Sequence, residues 1–231
     1  FLLFFAPADP TNPQSPLIPQ WLCSGALIAP TVVLTAGHCT DGATYARAWF
    51  TSELDFSTLP DGGIRGDVFS HPDFSWNWSR GALGWNAVDT GVVVLDVAPV
   101  VARLAELPTA GVVDALRMKT WVDQVGYGMQ EKLQVSGPPY DRWVLNGQRY
   151  YAPSQMVTSD NRSSDMWLKL TANPGQGKGG ICFGDSGGPN ILRGTDTILA
   201  TNSYGMNSNC AGVTYSNRVD REVVLDWLAG F

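Results

Sequence analysis

The segment best suited to chemistry is Gly184-Asp185-Ser186-Gly187-Gly188-Pro189, in which three glycines crowd one serine. Glycine permits left-handed backbone and lets a ligand come close to the chain. Such a turn can aim the backbone N–H groups of Gly184 and Ser186 at one point beside the Ser186 hydroxyl. An acyl-transfer nucleophile needs that arrangement, with donors waiting where an oxyanion develops. A serine hydroxyl is a weak nucleophile without a neighbouring base, and an imidazole, titrating near neutral pH, is suited to that role. Of the two histidines, His38 ends the apolar run Val32-Val33-Leu34-Thr35-Ala36-Gly37, whereas His71 precedes Pro72 in a polar, aromatic loop. His38 is therefore the expected base. Asp89 opens the strongly apolar stretch Gly91-Val92-Val93-Val94-Leu95. A carboxylate buried there must be paired or hydrogen-bonded, and orienting His38 would satisfy it. Asp73 and Asp96 are the rival orienters.

The elements that must hold these groups are short. Apolar, β-rich runs recur between turn signals at Trp21–Ile28, Val32–Ala36, Tyr45–Phe50, Gly91–Asp96, Trp121–Tyr127 and Ile198–Ser203. That spacing predicts an antiparallel all-β architecture. Phe1–Phe5 reads as a further strand, and the five prolines between Ala6 and Pro19 read as the loop after it. One helix is expected over 220–231, capped by Asp220 and burying Val223, Val224, Trp227 and Leu228. Leu107–Gly111 reads as a linker, dividing the chain into 1–108 and 109–219.

Composition narrows the function classes. The 231 residues carry 25 glycines and 15 prolines, and only 16% are charged, which argues against a helical bundle. A net charge of −6 without a Lys/Arg cluster disfavours nucleic acid and anionic membrane surfaces. No apolar run approaches the roughly 20 residues of a membrane helix. Two histidines and no Cys-x-x-Cys pair predict no metal or cofactor, and Glu53 with Asp55 is too small a set for calcium. Cys23, Cys39, Cys182 and Cys210 allow three disulfide pairings; the local ones close short loops, and any of them implies an oxidising, extracellular setting. Two glycosylation tripeptides, at Asn77 and Asn161, and a tryptophan group at Trp76, Trp78 and Trp85 complete the inventory.

From Trp21 to the terminal helix the chain resembles the chymotrypsin/trypsin-like serine proteases. It carries His38, Asp89 and Ser186 in that family's order, with His71-Pro72 and Gly126-Tyr127-Gly128 where the family often has comparable elements. The resemblance implies two antiparallel six-stranded Greek-key barrels with a C-terminal helix, His38 and Asp89 belonging to the first barrel and Ser186 to the second. It implies His38 as general base, Asp89 as its orienter, Ser186 as nucleophile, Gly184 and Ser186 as oxyanion-hole donors, and Cys23–Cys39 and Cys182–Cys210 as disulfides. It also implies a substrate pocket drawn from Gly180, Ile181, Phe183, Ser203, Tyr204, Gly205 and Gly212. No acidic residue lies between Trp167 and Cys182, so apolar or aromatic side chains are expected there rather than Arg or Lys; Lys178 offers a less favoured route to acidic ones.

The chain departs from the family pattern at Gly37, at Thr90-Gly91 and at Phe1, which is unlike the usual Ile/Val-Val-Gly-Gly terminus. In that family the terminus pairs with the carboxylate before the nucleophile, here Asp185; either residues upstream of Phe1 are missing from this chain, or Asp185 is expected to find another partner such as an Arg or Lys. The reading as a whole is a secreted, monomeric serine endopeptidase acting on peptides or proteins. An esterase using the same residues, and an inactive, zymogen-like peptide binder, are the alternatives.

Overall fold

The computed structural model describes residues 1–75, 88–134, 141–158 and 165–231. Asn77, Asn161 and the tryptophan group lie outside them. Seven strands come from the first half: β1 (Leu2–Pro7), β2 (Leu17–Cys23), β3 (Ala26–Ala29), β4 (Val32–Thr35), β5 (Tyr45–Ala48), β6 (Ile64–Ser70) and β7 (Gly91–Leu95). They form one antiparallel sheet in the order β2-β1-β5-β6-β7-β4-β3. The two edge strands, β2 and β3, are separated in sequence by Ser24-Gly25 alone, so the sheet must curl until its edges meet. The expected run Trp21–Ile28 is thus broken at Ser24-Gly25, and among the described residues the sheet has seven strands rather than six.

Strand β4 is buried along its whole length. Val32 and Leu34 face one apolar cluster, shared with Trp167, Ile198, Val219 and Leu228 of the second half. Val33 faces another, with Leu2, Phe4 and Val93 inside the curled sheet. Burial on both faces explains the unbroken apolar run that leads to His38. A short helix α1 (Gly37–Thr40) follows and carries the imidazole at the strand's end.

The second half begins with helix α2 (Val112–Ala115) and continues with β8 (Trp121–Gly126), the hairpin β9 (Glu131–Gln134) and β10 (Asp141–Val144), then β11 (Tyr150–Thr158), β12 (Trp167–Ala172), β13 (Pro189–Leu192), β14 (Ile198–Gly205) and β15 (Gly212–Arg218). Six of these close a barrel in the order β11-β12-β15-β14-β13-β8. Alternation along β8 turns Val122, Gln124 and Gly126 inward.

The terminal helix α3 (Glu222–Leu228) is shorter than expected and begins differently. Asp220 is not its cap. Its carboxylate instead grips the fully buried Arg218 through both oxygens and accepts the N–H of Val113. A buried guanidinium needs that bidentate partner more than an exposed helix start needs a cap. Val224 and Leu228 are buried, whereas Val223 is exposed. Trp227 packs edge-on against His71, whose Nε2–H meets the Val223 carbonyl while its Nδ1 accepts the N–H of Asp73. His71 is thereby committed to fastening α3.

Candidate active site

The histidine loop is fixed at one point by the disulfide Cys23–Cys39 and at another by Asp89. Asp89 is fully buried at the entry to β7. One carboxylate oxygen accepts the His38 backbone N–H at 2.8 Å, and the other lies 2.9 Å from Nδ1 of the ring. With Asp89 accepting at Nδ1, the imidazole proton resides there and Nε2 keeps its lone pair. Ser203, near the end of β14, donates its hydroxyl to the same carboxylate. Burial alone would raise the pKa of Asp89, but its electrostatic and hydrogen-bond interactions with His38 and the Ser203 hydroxyl outweigh that and hold the carboxyl below its ordinary range. The rival Asp96 is an exposed surface partner of Arg65.

Ser186 sits in a turn fastened from both halves. Gly184 and Gly187 have φ of 96° and 77°, the left-handed region that side chains rarely occupy. Ser24, directly after Cys23, reaches across from the first sheet. Its N–H donates to the Ser186 carbonyl at 2.7 Å and its hydroxyl to the Gly184 carbonyl at 2.9 Å. Its own carbonyl accepts from Thr35, three residues before His38. The Ser186 turn and the His38 loop are thus joined through Ser24, and Asp89 is joined to the wall beside Ser186 through Ser203. Among the described residues, the N–H groups of Gly184 and Ser186 donate to no protein acceptor.

A pocket of about 180 Å³ opens at Ser186, lined by Ile181, Phe183, Ser203, Tyr204, Gly205, Asn207 and the second disulfide, Cys182–Cys210. Five of the seven expected pocket residues are here. Gly180 lines a separate, smaller pocket behind Ile181. Gly212 opens β15 opposite Ala172, the residue against which Gly180 also packs. Lys178 pairs by backbone with Asn173. Strand β13 covers β14 only as far as Thr201, so among the described residues Ser203–Gly205 presents one unpaired edge beside the pocket. Cys23, His38 and Cys39 lie close enough together to suggest a metal cluster. The two sulfurs are bonded to each other, however, and offer no thiolate.

Asp185 does not meet an Arg or Lys among the described residues. Its oxygens accept the N–H groups of Gly128 and Cys182, both at 2.8 Å. Burial pushes its pKa up to about 6, against the lowering effect of those two bonds. Because the folded value exceeds the ordinary 3.8, stability associated with this group is full below the ordinary value and is lost as pH rises through the folded one. Asp185→Asn cannot ionise. Its stability relative to the parent should improve by about 2 kcal/mol between about pH 4 and about pH 7, measured by denaturant unfolding at each pH. A constant difference would show that Asp185 titrates normally.

Sequence reasoning did not find Ser24, and it gave Ser203 only a pocket role. Each is a serine whose partner lies more than 100 residues away, and serine alone carries no signal of that.

Comparison with known proteins shows the family and the fold. Residues 11–228 match the family model described as Trypsin. Over 180 residues the chain is 33% identical to chymotrypsin-like elastase family member 3B of Macaca mulatta, covering 72% of this chain and 63% of that relative. The chain therefore spans just under two thirds of that protein. A solved structure titled HL collagenase superposes with a TM-score of 0.71 at 17% identity, over 99% of this chain and 90% of the other. Human heparin binding protein gives a TM-score of 0.64 at 17% identity, over 100% and 90%. At that identity the two structures speak to the fold alone.

Proposed function

The chain belongs to the trypsin family of serine proteases, and on that premise we propose that it is a secreted serine endopeptidase whose active site is built from His38, Asp89 and Ser186. The observation that carries the reading is the buried Asp89 carboxylate, which holds the His38 ring at Nδ1 and leaves Nε2 as the basic nitrogen. In acylation, Nε2 takes the proton of Ser186 as its oxygen attacks the peptide carbonyl. The oxyanion is received by the N–H groups of Gly184 and Ser186, which have no protein acceptor among the described residues. Nε2 then protonates the departing amine, and the C–N bond breaks. In deacylation, water gives its proton to Nε2 as it attacks the ester carbon. The acid product leaves, and the proton returns to Ser186.

The free edge at Ser203–Gly205 suits an extended peptide pairing as an added strand. Among the described residues no acidic side chain lines the pocket at Ser186, and Ile181, Phe183 and Tyr204 give it an apolar character. Cleavage is expected after apolar or aromatic residues. Residues 1–108 and 109–219 act as the two halves that close on the substrate, with 220–231 strapping them together. Two disulfides support an oxidising, extracellular setting, and no described helix is long and apolar enough to cross a membrane.

A mixed peptide panel, with an aryl-ester panel in parallel and Ser186→Ala as control, tests this reading. Peptide cleavage after apolar residues, absent in the control, is expected. Hydrolysis of esters alone would make the protein an esterase, and dominant cleavage after Arg or Lys would refute the pocket assignment.

A further inference from the structure

The interior of the closed barrel is chemically divided. One end is apolar, built from Val113, Val122, Met156, Leu168, Leu170 and Leu199. The other end, beneath the Ser186 turn, is a lattice of amides and hydroxyls in which Gln124, Asn190 and Asn202 are each at most 2% exposed. The carboxamide oxygen of Asn202 accepts from Asn190 at 2.9 Å and from Gln124 at 3.3 Å, and its nitrogen donates to the Val125 carbonyl. Gln124 also donates to Thr214 and accepts from Ser154, while Asn190 also donates to the Ala200 carbonyl and accepts from Ser216. The side chains come from β8, β11, β13, β14 and β15, and every carboxamide group in the lattice has a partner. Buried polar groups are costly unless satisfied, and a satisfied network fixes a single geometry where apolar packing tolerates several.

Asn202 also grips the turn directly. Its carbonyl accepts the Gly187 N–H at 2.7 Å and its N–H donates to the Gly188 carbonyl at 2.8 Å. Gly188 rests on the lattice so closely that a Cβ there would lie 2.1 Å from the Val125 carbonyl and 2.9 Å from the Asn202 amide nitrogen. The next residue, Ser203, holds Asp89. Asn202 therefore sits between the two parts of the site that must keep register.

We infer that Asn202 is a positioning residue for Ser186, its side-chain amide and the Gln124–Asn190 lattice behind it holding the Gly187-Gly188 limb of the turn in reactive register with Asp89 and His38. The inference rests on the assignment of Ser186 as nucleophile. Asn202 touches neither substrate nor the reacting atoms, so it acts on turnover and not on binding.

Three variants test it on an amide substrate: Asn202→Leu, of similar shape without hydrogen bonds; Gln124→Leu, which loosens the lattice but leaves the turn's own bonds; and Val122→Ala, a cavity in the apolar end. Each is scored for kcat, KM and Tm, with kcat normalised to folded protein and to Ser186 phosphonylated by a fluorophosphonate. Asn202→Leu should lose about tenfold in kcat with KM within about twofold, and Gln124→Leu about threefold. Val122→Ala should lose Tm with kcat unchanged. Equal kcat in all three, with only Tm reduced, would make the lattice merely structural and overturn the inference. Should Asn202→Leu not be recovered folded, Gln124→Leu decides the matter alone. If the parent itself is never phosphonylated at Ser186, the failure belongs to the nucleophile assignment.

Discussion

Asp89→Asn should lower kcat for peptide hydrolysis on the order of 10⁴-fold with KM little changed. The reason lies in what the two carboxylate oxygens now do. They accept three hydrogens: the His38 backbone N–H, the Nδ1 hydrogen and the Ser203 hydroxyl. A carboxamide keeps one oxygen and turns two hydrogens toward groups that are themselves donors. The least costly rearrangement moves the imidazole proton to Nε2 so that Nδ1 can accept. Nε2 then has no lone pair for the Ser186 proton, and general-base catalysis stops although the ring stays in place. Full burial of Asp89 removes the option of water filling the gap around its side chain. Ser203→Ala takes away only one of the three donors and should cost far less. Steady-state kinetics over a range of pH checks the pair; a loss below about tenfold in Asp89→Asn would show that the tautomer is set elsewhere.

Gly187→Ala should disable the protein by a different route. A Cβ at that position would lie 2.0 Å from the Thr35 hydroxyl, 2.6 Å from the Ser24 carbonyl and 2.7 Å from the Ala36 nitrogen. Two of these are backbone atoms at the seam between the Ser186 turn and the His38 loop, so relief requires moving one loop from the other. Left-handed φ at a non-glycine residue costs roughly 1–2 kcal/mol on its own. With the clash, about 3 kcal/mol of stability or more should be lost, equivalent to roughly 6–12 °C in Tm for a chain of this length. Activity of the folded fraction should fall by more than about 100-fold, since displacement of a nucleophile by about 1 Å is enough. Thermal unfolding and active-site titration on one preparation separate the two effects. An alanine variant with normal Tm and normal titration would mean that the seam is far more compliant than its contacts indicate.

Much of this site was legible from residue types. Glycine on both sides of Ser186, an apolar run into His38 and an aspartate at the mouth of another apolar run are local patterns with local physical causes. The strands followed from the same alternation, and the break at Ser24-Gly25 was missed because Trp21–Ile28 reads as one apolar stretch. Asp220 was misread because it has the residue type of a helix cap, while its actual partner, the buried Arg218, is visible only once α2 and β15 are packed together. The polar barrel interior was illegible for a related reason. Gln124, Asn190 and Asn202 each look like surface residues in a strand, and only closure of the barrel brings them face to face. Asp185 shows the limit most clearly: the family resemblance pointed to a cationic partner such as an Arg or Lys, but its oxygens accept backbone N–H groups that no sequence pattern encodes.

The most direct test is covalent labelling of the native protein by a fluorophosphonate, read by intact mass and peptide mapping, alongside His38→Ala and Ser186→Ala. The geometry predicts one phosphonyl adduct per chain, located on Ser186, formed at least 100-fold more slowly in His38→Ala and absent in Ser186→Ala. A parent protein that stays unmodified, or that is labelled equally fast without the imidazole, would contradict the claim that His38 and Ser186 form one catalytic unit.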